Sequence, residues 1–245
     1  MLLGHNAFIR FMQSLFASEP QQTTQISADI REKVTKMNIT VVGSGNVGSA
    51  LLKQLTAAGH QVTLTARDLD KAAAVAKSYP GSRVVEAAKA AEGAQLIILA
   101  TPYDNAVEAL NSLGNLQGKV VVDVTNPLSA DYMSLTVSGT TSAAEEIARA
   151  LPGVAVVKAF NTLFAQVLSD GPQFADGQRA TVFYAGDDNQ AKQQVAALAE
   201  GLGFHTQDAG GLKNARYLEP LAGLNIYLGY GAGLGTQIAP TWISR

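Results

Sequence analysis

Hydrophobic and polar positions change period several times after Met37. Runs rich in β-branched residues at 37–42, 61–65, 96–100 and 119–124 predict strands. Between the first two, Val47, Leu51, Leu52 and Leu55 recur at helical spacing over 46–58, and Gly59 marks the end of that helix. A second helix is expected over 69–79, stopped by Pro80 and Gly81, with Asp68 as its N-cap. The alternation loosens in the second half, where 154–157, 181–185 and 204–207 predict strands and 190–202 a helix. The apolar, glycine-rich stretch 214–234 predicts a helical tail packed back on the sheet. Strands alternating with helices imply βαβ units. The wholly apolar Leu96-Ile97-Ile98-Leu99 and Val120-Val121-Val122 imply parallel strands covered on both faces. The expected fold is α/β, a Rossmann doubly wound, mainly parallel sheet in one domain over 37–245.

Residues 1–36 follow a different pattern. Phe8, Ile9, Phe11, Met12, Leu15 and Phe16 recur at helical spacing, and a polar stretch follows over 19–27. A signal peptide would carry positive charge before its apolar run, and here Arg10 interrupts the run instead. The segment reads as an extension, either an amphipathic helix or sequence upstream of a natural start at Met37.

Composition narrows the function classes. A formal net charge of −2 offers no positive field for nucleic acid or an anionic membrane. The absence of cysteine excludes disulfides, thiolate catalysis and cysteine-bound metal. No apolar run approaches the ~18 residues of a spanning helix, so a cytoplasmic location is expected.

The chemistry is announced by Gly43-Ser44-Gly45-Asn46-Val47-Gly48, a G-x-G-x-x-G pattern. The pattern alone is weak in a chain with 23 glycines; placed after a strand and opening a helix, it is strong. Gly43 permits the tight turn, Gly45 lets backbone approach a pyrophosphate, and Gly48 allows close helix–strand packing. The helix amino end adds free N–H groups and a positive dipole. An NAD site would end its second strand in a carboxylate for the ribose 2′-hydroxyl. Here the second strand ends in Thr65-Ala66-Arg67, with Lys71 one helical turn on. Arg67 can grip a 2′-phosphate through charge-assisted hydrogen bonds, so NADP(H) is the expected cofactor.

Ligands of such sheets lie beyond the carboxyl ends of the strands. Three of those ends carry Ala100-Thr101-Pro102-Tyr103, Thr125-Asn126-Pro127 and Ala159-Phe160-Asn161-Thr162, expected to shape the nicotinamide end of the crevice. An acid–base apparatus is hard to find. His5, His60 and His205 lie away from these loops, and no tyrosine is followed four residues later by lysine. Lys158 and Tyr103 are the candidate proton donors, without an evident pairing. No catalytic residue and no metal ligand is assigned. Hydride exchange between a nicotinamide and a flavin-like ring needs only that the protein hold two rings together and exclude water, which suits such a site.

Together, the segment 43–48, Thr65-Ala66-Arg67, Asp123-Val124-Thr125-Asn126-Pro127, Lys158-Ala159-Phe160-Asn161-Thr162 and the stretch 210–221 resemble the NADPH-dependent coenzyme F420 reductases. The segment 157–162 is also similar to the cytosolic oxidoreductase domain of the six-transmembrane metalloreductases. The resemblance covers 37–245. It implies a Rossmann domain with a small carboxyl-terminal portion, frequently a homodimer, in which Ser44, Ala66, Arg67 and Lys71 surround the 2′-phosphate. The family often has serine where Ala66 stands. The resulting expectation is an NADPH-dependent oxidoreductase passing hydride to a flavin or deazaflavin, a small-molecule electron acceptor. An imine or small-carbonyl reductase and a non-catalytic NADP(H)-sensing regulator are the alternatives.

Overall fold

Eight strands form one sheet in the order β3-β2-β1-β4-β5-β6-β7-β8, seen in a computed structural model that describes residues 36–243. The expected extension over 1–36, His5 included, lies outside the described residues apart from Lys36. Strands β1 (Asn38–Val42), β2 (Gln61–Thr65), β4 (Leu96–Leu99), β5 (Val120–Asp123), β6 (Ala155–Ala159), β7 (Thr181–Gly186) and β8 (His205–Asp208) fall where the period-2 and apolar runs predict them. The short edge strand β3 (Ser82–Val84) carries no such signal.

Helices α1 (Asn46–Ala57), α2 (Leu69–Ala76) and α7 (Asn189–Gly201) match the expected segments, and Asp68 does cap α2 by accepting the Lys71 N–H at 2.9 Å. Four helices were not read from the sequence: α3 (Ala87–Ala90), α4 (Ala106–Asn111), α5 (Ala143–Ala150) and α6 (Ala165–Asp170). Each spans eight residues or fewer, too short for a 3.6-residue period to declare itself. The tail is helical over α8 (Ala215–Ile226) and then widens into a π-turn over Tyr227–Gly231.

Register places the chemistry. Val42 pairs with Thr65 and with Leu99, Leu99 with Asp123, and Asp123 with Lys158, so the carboxyl ends of five strands align. Chain order reverses between β1 and β4, the position where doubly wound sheets open a ligand crevice. β7 runs antiparallel to β6, and β8 runs parallel to β7, extending the same sheet with the carboxyl-terminal portion. Each face is covered: Ile39, Val41, Leu51, Leu52 and Leu55 pack on one side. Ile97, Leu99, Leu110, Val121 and Ile147 pack on the other. Among the described residues no helix is long and apolar enough to cross a membrane.

One buried base ties the start of β1 to the turn before β2. His60 is 1% exposed, and its Nδ1 accepts the Met37 N–H at 3.2 Å. That bond assigns the ring proton to Nε2, which has no partner. Burial lowers the pKa of His60 below its ordinary value near 6.5. A base whose folded pKa is depressed gives its full contribution above pH ~6.5 and loses it as pH falls through the folded value. Denaturation midpoints measured between pH 7 and 5 should therefore fall more steeply for the wild type than for His60→Gln, which can still accept from Met37.

Candidate active site

The glycine loop is built by contact. Gly43 leaves β1 with φ +113° and donates its N–H to Thr65 at 2.8 Å, joining the exits of β1 and β2. A methyl group on Gly43 would sit 2.5 Å from the Ala100 carbonyl oxygen; on Gly48 it would sit 1.9 Å from the Gly43 carbonyl oxygen. Gly45 has nothing within 4 Å of that position. Two glycines are thus demanded by the fold, and the third leaves an open cradle. Gly45 is the N-cap of α1, without a side-chain cap or an acidic residue in the first turn. Ser44 is buried, Asn46 is exposed and Val47 half-buried against the core. The first N–H groups of α1 therefore start beside the open space at Gly45, with the helix dipole behind them.

At the exit of β2, Thr65 is buried with its hydroxyl unpartnered, and Ala66 is half-buried. Arg67 and Lys71 are exposed; among the described residues neither cationic group has a hydrogen-bond or ion-pair partner. Gly43 is bonded to Thr65, so the chain leaves β2 for Arg67 two residues after its contact with the glycine loop.

The remaining predicted residues line the exits of β4, β5 and β6. Ala100 abuts Gly43, the Thr101 hydroxyl is buried without a partner, and Pro102 precedes a 3-10 turn over Tyr103–Asn105. Asn126 and Asn161 pair side by side. Asn126 Nδ2 donates to the Asn161 carbonyl at 2.8 Å, and Asn161 Nδ2 donates to Asn126 Oδ1 at 2.9 Å and to the Leu218 carbonyl at 3.0 Å. Both Asn161 donors are used, and its buried Oδ1 has no partner. Phe160, between Ala159 and Asn161, is held at φ +62° while only 1% exposed, which turns the chain from β6 toward Asn126. Pro127, which follows Asn126, is buried.

The candidate proton donors are both engaged. The Tyr103 hydroxyl donates to the Glu146 carboxylate, and burial together with that carboxylate raises its pKa. Lys158 is 0% exposed; its Nζ lies 2.7 Å from Asp123 Oδ2, 2.9 Å from Glu219 Oε1 and 2.7 Å from the Thr125 carbonyl. Asp123 Oδ1 accepts the Thr125 N–H at 2.8 Å, so the cluster clamps Thr125 through both its backbone groups. Glu219, from α8, also accepts the Ala143 and Ala144 N–H groups at 2.9 and 3.1 Å, satisfying the start of α5. Burial pushes the Glu219 pKa up and outweighs the opposing pull of Lys158. Sequence reasoning missed this cluster. Its signal was a charge at the end of each apolar strand, Asp123 after three valines and Lys158 after two.

Glycines forced to be glycine, a cradle left open, uncapped helix amides and unpartnered buried polar atoms at Thr65, Thr101 and Asn161 are features that a bound dinucleotide would use. The family described as NADP oxidoreductase, coenzyme F420-dependent, matches residues 38–127. The F420-dependent NADP reductase of Methanothermobacter marburgensis is 34% identical over 214 residues, covering 78% of this chain and 92% of that protein. The chain belongs to the F420-dependent NADP reductase family. It is an NADP-dependent oxidoreductase by that membership. The metalloreductase STEAP3 of Rattus norvegicus is 31% identical over 195 residues, and the match covers 79% of this chain but only 38% of that longer protein. A structure solved from Arthrobacter sp. FB24 as a candidate F420-dependent NADP-reductase superposes with a TM-score of 0.78 at 34% identity, covering 85% of this chain and all of that one.

The loop geometry separates two glycines that look alike in sequence. Gly48→Ala should lower stability by ~1–3 kcal/mol through overpacking against fixed backbone. Gly45→Ala, at φ −77° with open space, should stay within ~0.5 kcal/mol of wild type. Urea denaturation of both variants checks this.

Proposed function

We propose that this chain transfers hydride between NADP(H) and a flavin or deazaflavin of the F420 kind. The amides from Gly45 to Gly48 receive the pyrophosphate, with Ser44 beside them. Arg67 and Lys71 receive the 2′-phosphate, and the adjacent Asp68 carboxylate is engaged by the Lys71 N–H as the cap of α2. Thr101, Asn126 and Asn161 face the nicotinamide, and the unpartnered Asn161 oxygen accepts from its carboxamide. When bound, NADP(H) supplies the hydride chemistry; the chain positions it and keeps water away.

The observation that carries the acceptor half is the state of the two candidate donors. Lys158 has its three hydrogens committed and is sealed from solvent, and Tyr103 is bonded to a carboxylate. A carbonyl or imine acceptor would need a free proton donor at the strand ends, whereas a ring acceptor accepts hydride into its own conjugated system. The closing segment suits such a ring. Asn225 donates to the Thr162 carbonyl at 3.1 Å, fixing the end of α8 over the β6 exit. The π-turn that follows packs Gly229 against Phe164 and stacks Tyr230 edge-on at 5.6 Å from that ring, leaving Tyr227 and Tyr230 half or more exposed.

Two measurements test the two halves. Arg67→Ala should weaken NADPH binding by ~1.5–3 kcal/mol, the range for a lost charged hydrogen-bond partner, and leave NADH nearly unchanged. Equal losses would remove Arg67 from 2′-phosphate recognition. NADPH oxidation followed at 340 nm with FMN, FAD, riboflavin and coenzyme F420 offered separately should proceed with at least one of them. Turnover with none would sink the acceptor assignment and leave the cofactor assignment standing.

A further inference from the structure

The buried cluster beneath the crevice carries more negative than positive charge, and that imbalance has a use. Lys158 contributes one positive charge, and Asp123 and Glu219, whose four oxygens all accept from N–H donors, contribute two negative ones. All three side chains are 1% exposed or less, so water screens them little. The amino end of α5 meets Glu219 with roughly half a positive charge and offsets only part of the excess. Groups around the cluster do not cancel it. Glu146 lies beside it through Tyr103, and Arg216 is spent on Glu145 through two bonds of 2.8 and 2.7 Å. Asp123 ends β5 and Lys158 is the penultimate residue of β6, directly below Thr125, Asn126 and Asn161.

Loss of hydride turns a neutral dihydronicotinamide into a cationic ring, while the phosphates of the two cofactor forms are the same. We infer that the Asp123–Lys158–Glu219 cluster favours the oxidised, cationic nicotinamide over the reduced one and so makes the bound cofactor a stronger hydride donor. This rests on the reading that the nicotinamide lies at the exits of β5 and β6. The three residues act through the field they set and through Thr125; they are positioning residues.

The test is calorimetric titration of the full chain with NADP+ and NADPH separately, needing no acceptor and no turnover. Glu219→Gln and Asp123→Asn each remove one negative charge at nearly constant volume, and each turns one accepting oxygen into a donor. Each should raise the ratio Kd(NADP+)/Kd(NADPH) by about three- to tenfold, the effect of one partly screened charge at short range. Glu92→Gln, on the exposed turn before β4 at the opposite end of the strands, should leave the ratio unchanged. Glu146→Gln, nearer the surface, should shift it in the same direction by less and serves if both cluster variants fail to fold. A folded cluster variant that weakens both cofactor forms equally, or neither, would overturn the inference. A wild-type chain that binds NADP+ and NADPH at no concentration would overturn the cofactor reading as well, a result distinct from a ratio that does not move.

Discussion

A single ammonium group organises the carboxyl end of this sheet. Lys158 sits without solvent between the last residue of β5 and a carboxylate from α8, and it also takes the carbonyl of Thr125. Charges buried to this degree are stable only when paired and fully hydrogen-bonded, and here every hydrogen of the ammonium is used. The requirement propagates outward. Asp123 must also hold the Thr125 amide, Glu219 must also cap α5, and α8 must therefore lie across the exit of β6. The strand ends, the closing helix and the helix between β5 and β6 are fastened at one point.

From that point the crevice follows. Thr125 fixes Asn126, Asn126 pairs with Asn161, and Asn161 reaches the backbone of α8 at Leu218. The left-handed Phe160 is the strained joint that allows this, held by burial and by an edge-on contact with Phe204 at 6.2 Å. The opposite wall is made by steric exclusion. Gly43 and Gly48 have no room for a side chain, while Gly45 has room that nothing among the described residues fills. One wall is set by charge satisfaction and the other by backbone contact, and the ring of the cofactor is expected between them.

Much of the glycine loop was legible in the sequence because its physics is local. A strand, three glycines at fixed spacing and an apolar-periodic helix fall within twenty residues, and the absence of a carboxylate at Arg67 is a one-residue observation. The crevice floor was not legible. Asp123 and Lys158 were visible as charges in apolar runs, but their partnership with Glu219 crosses 61 to 96 positions of chain, as the residue numbers themselves show. Lys158 and Tyr103 show in the sequence only as candidate donors without a pairing, because the carboxylate each faces comes from a distant part of the chain. The short helices α3 to α6 escaped for a different reason: fewer than three turns leave too few residues to show a period.

The sequence by itself determined the doubly wound class, the order of seven of the eight strands and of helices α1, α2, α7 and α8, the glycine loop and the two cations that follow the second strand. These depend on period, on side-chain volume and on charge at neighbouring positions. Tertiary structure alone decided which polar groups were used up and which were left open. Whether Lys158 can release a proton, or Asn161 can accept a bond, depends on what lies across space from it, because burial fixes how strongly a charge acts and pairing fixes whether it is free to act at all.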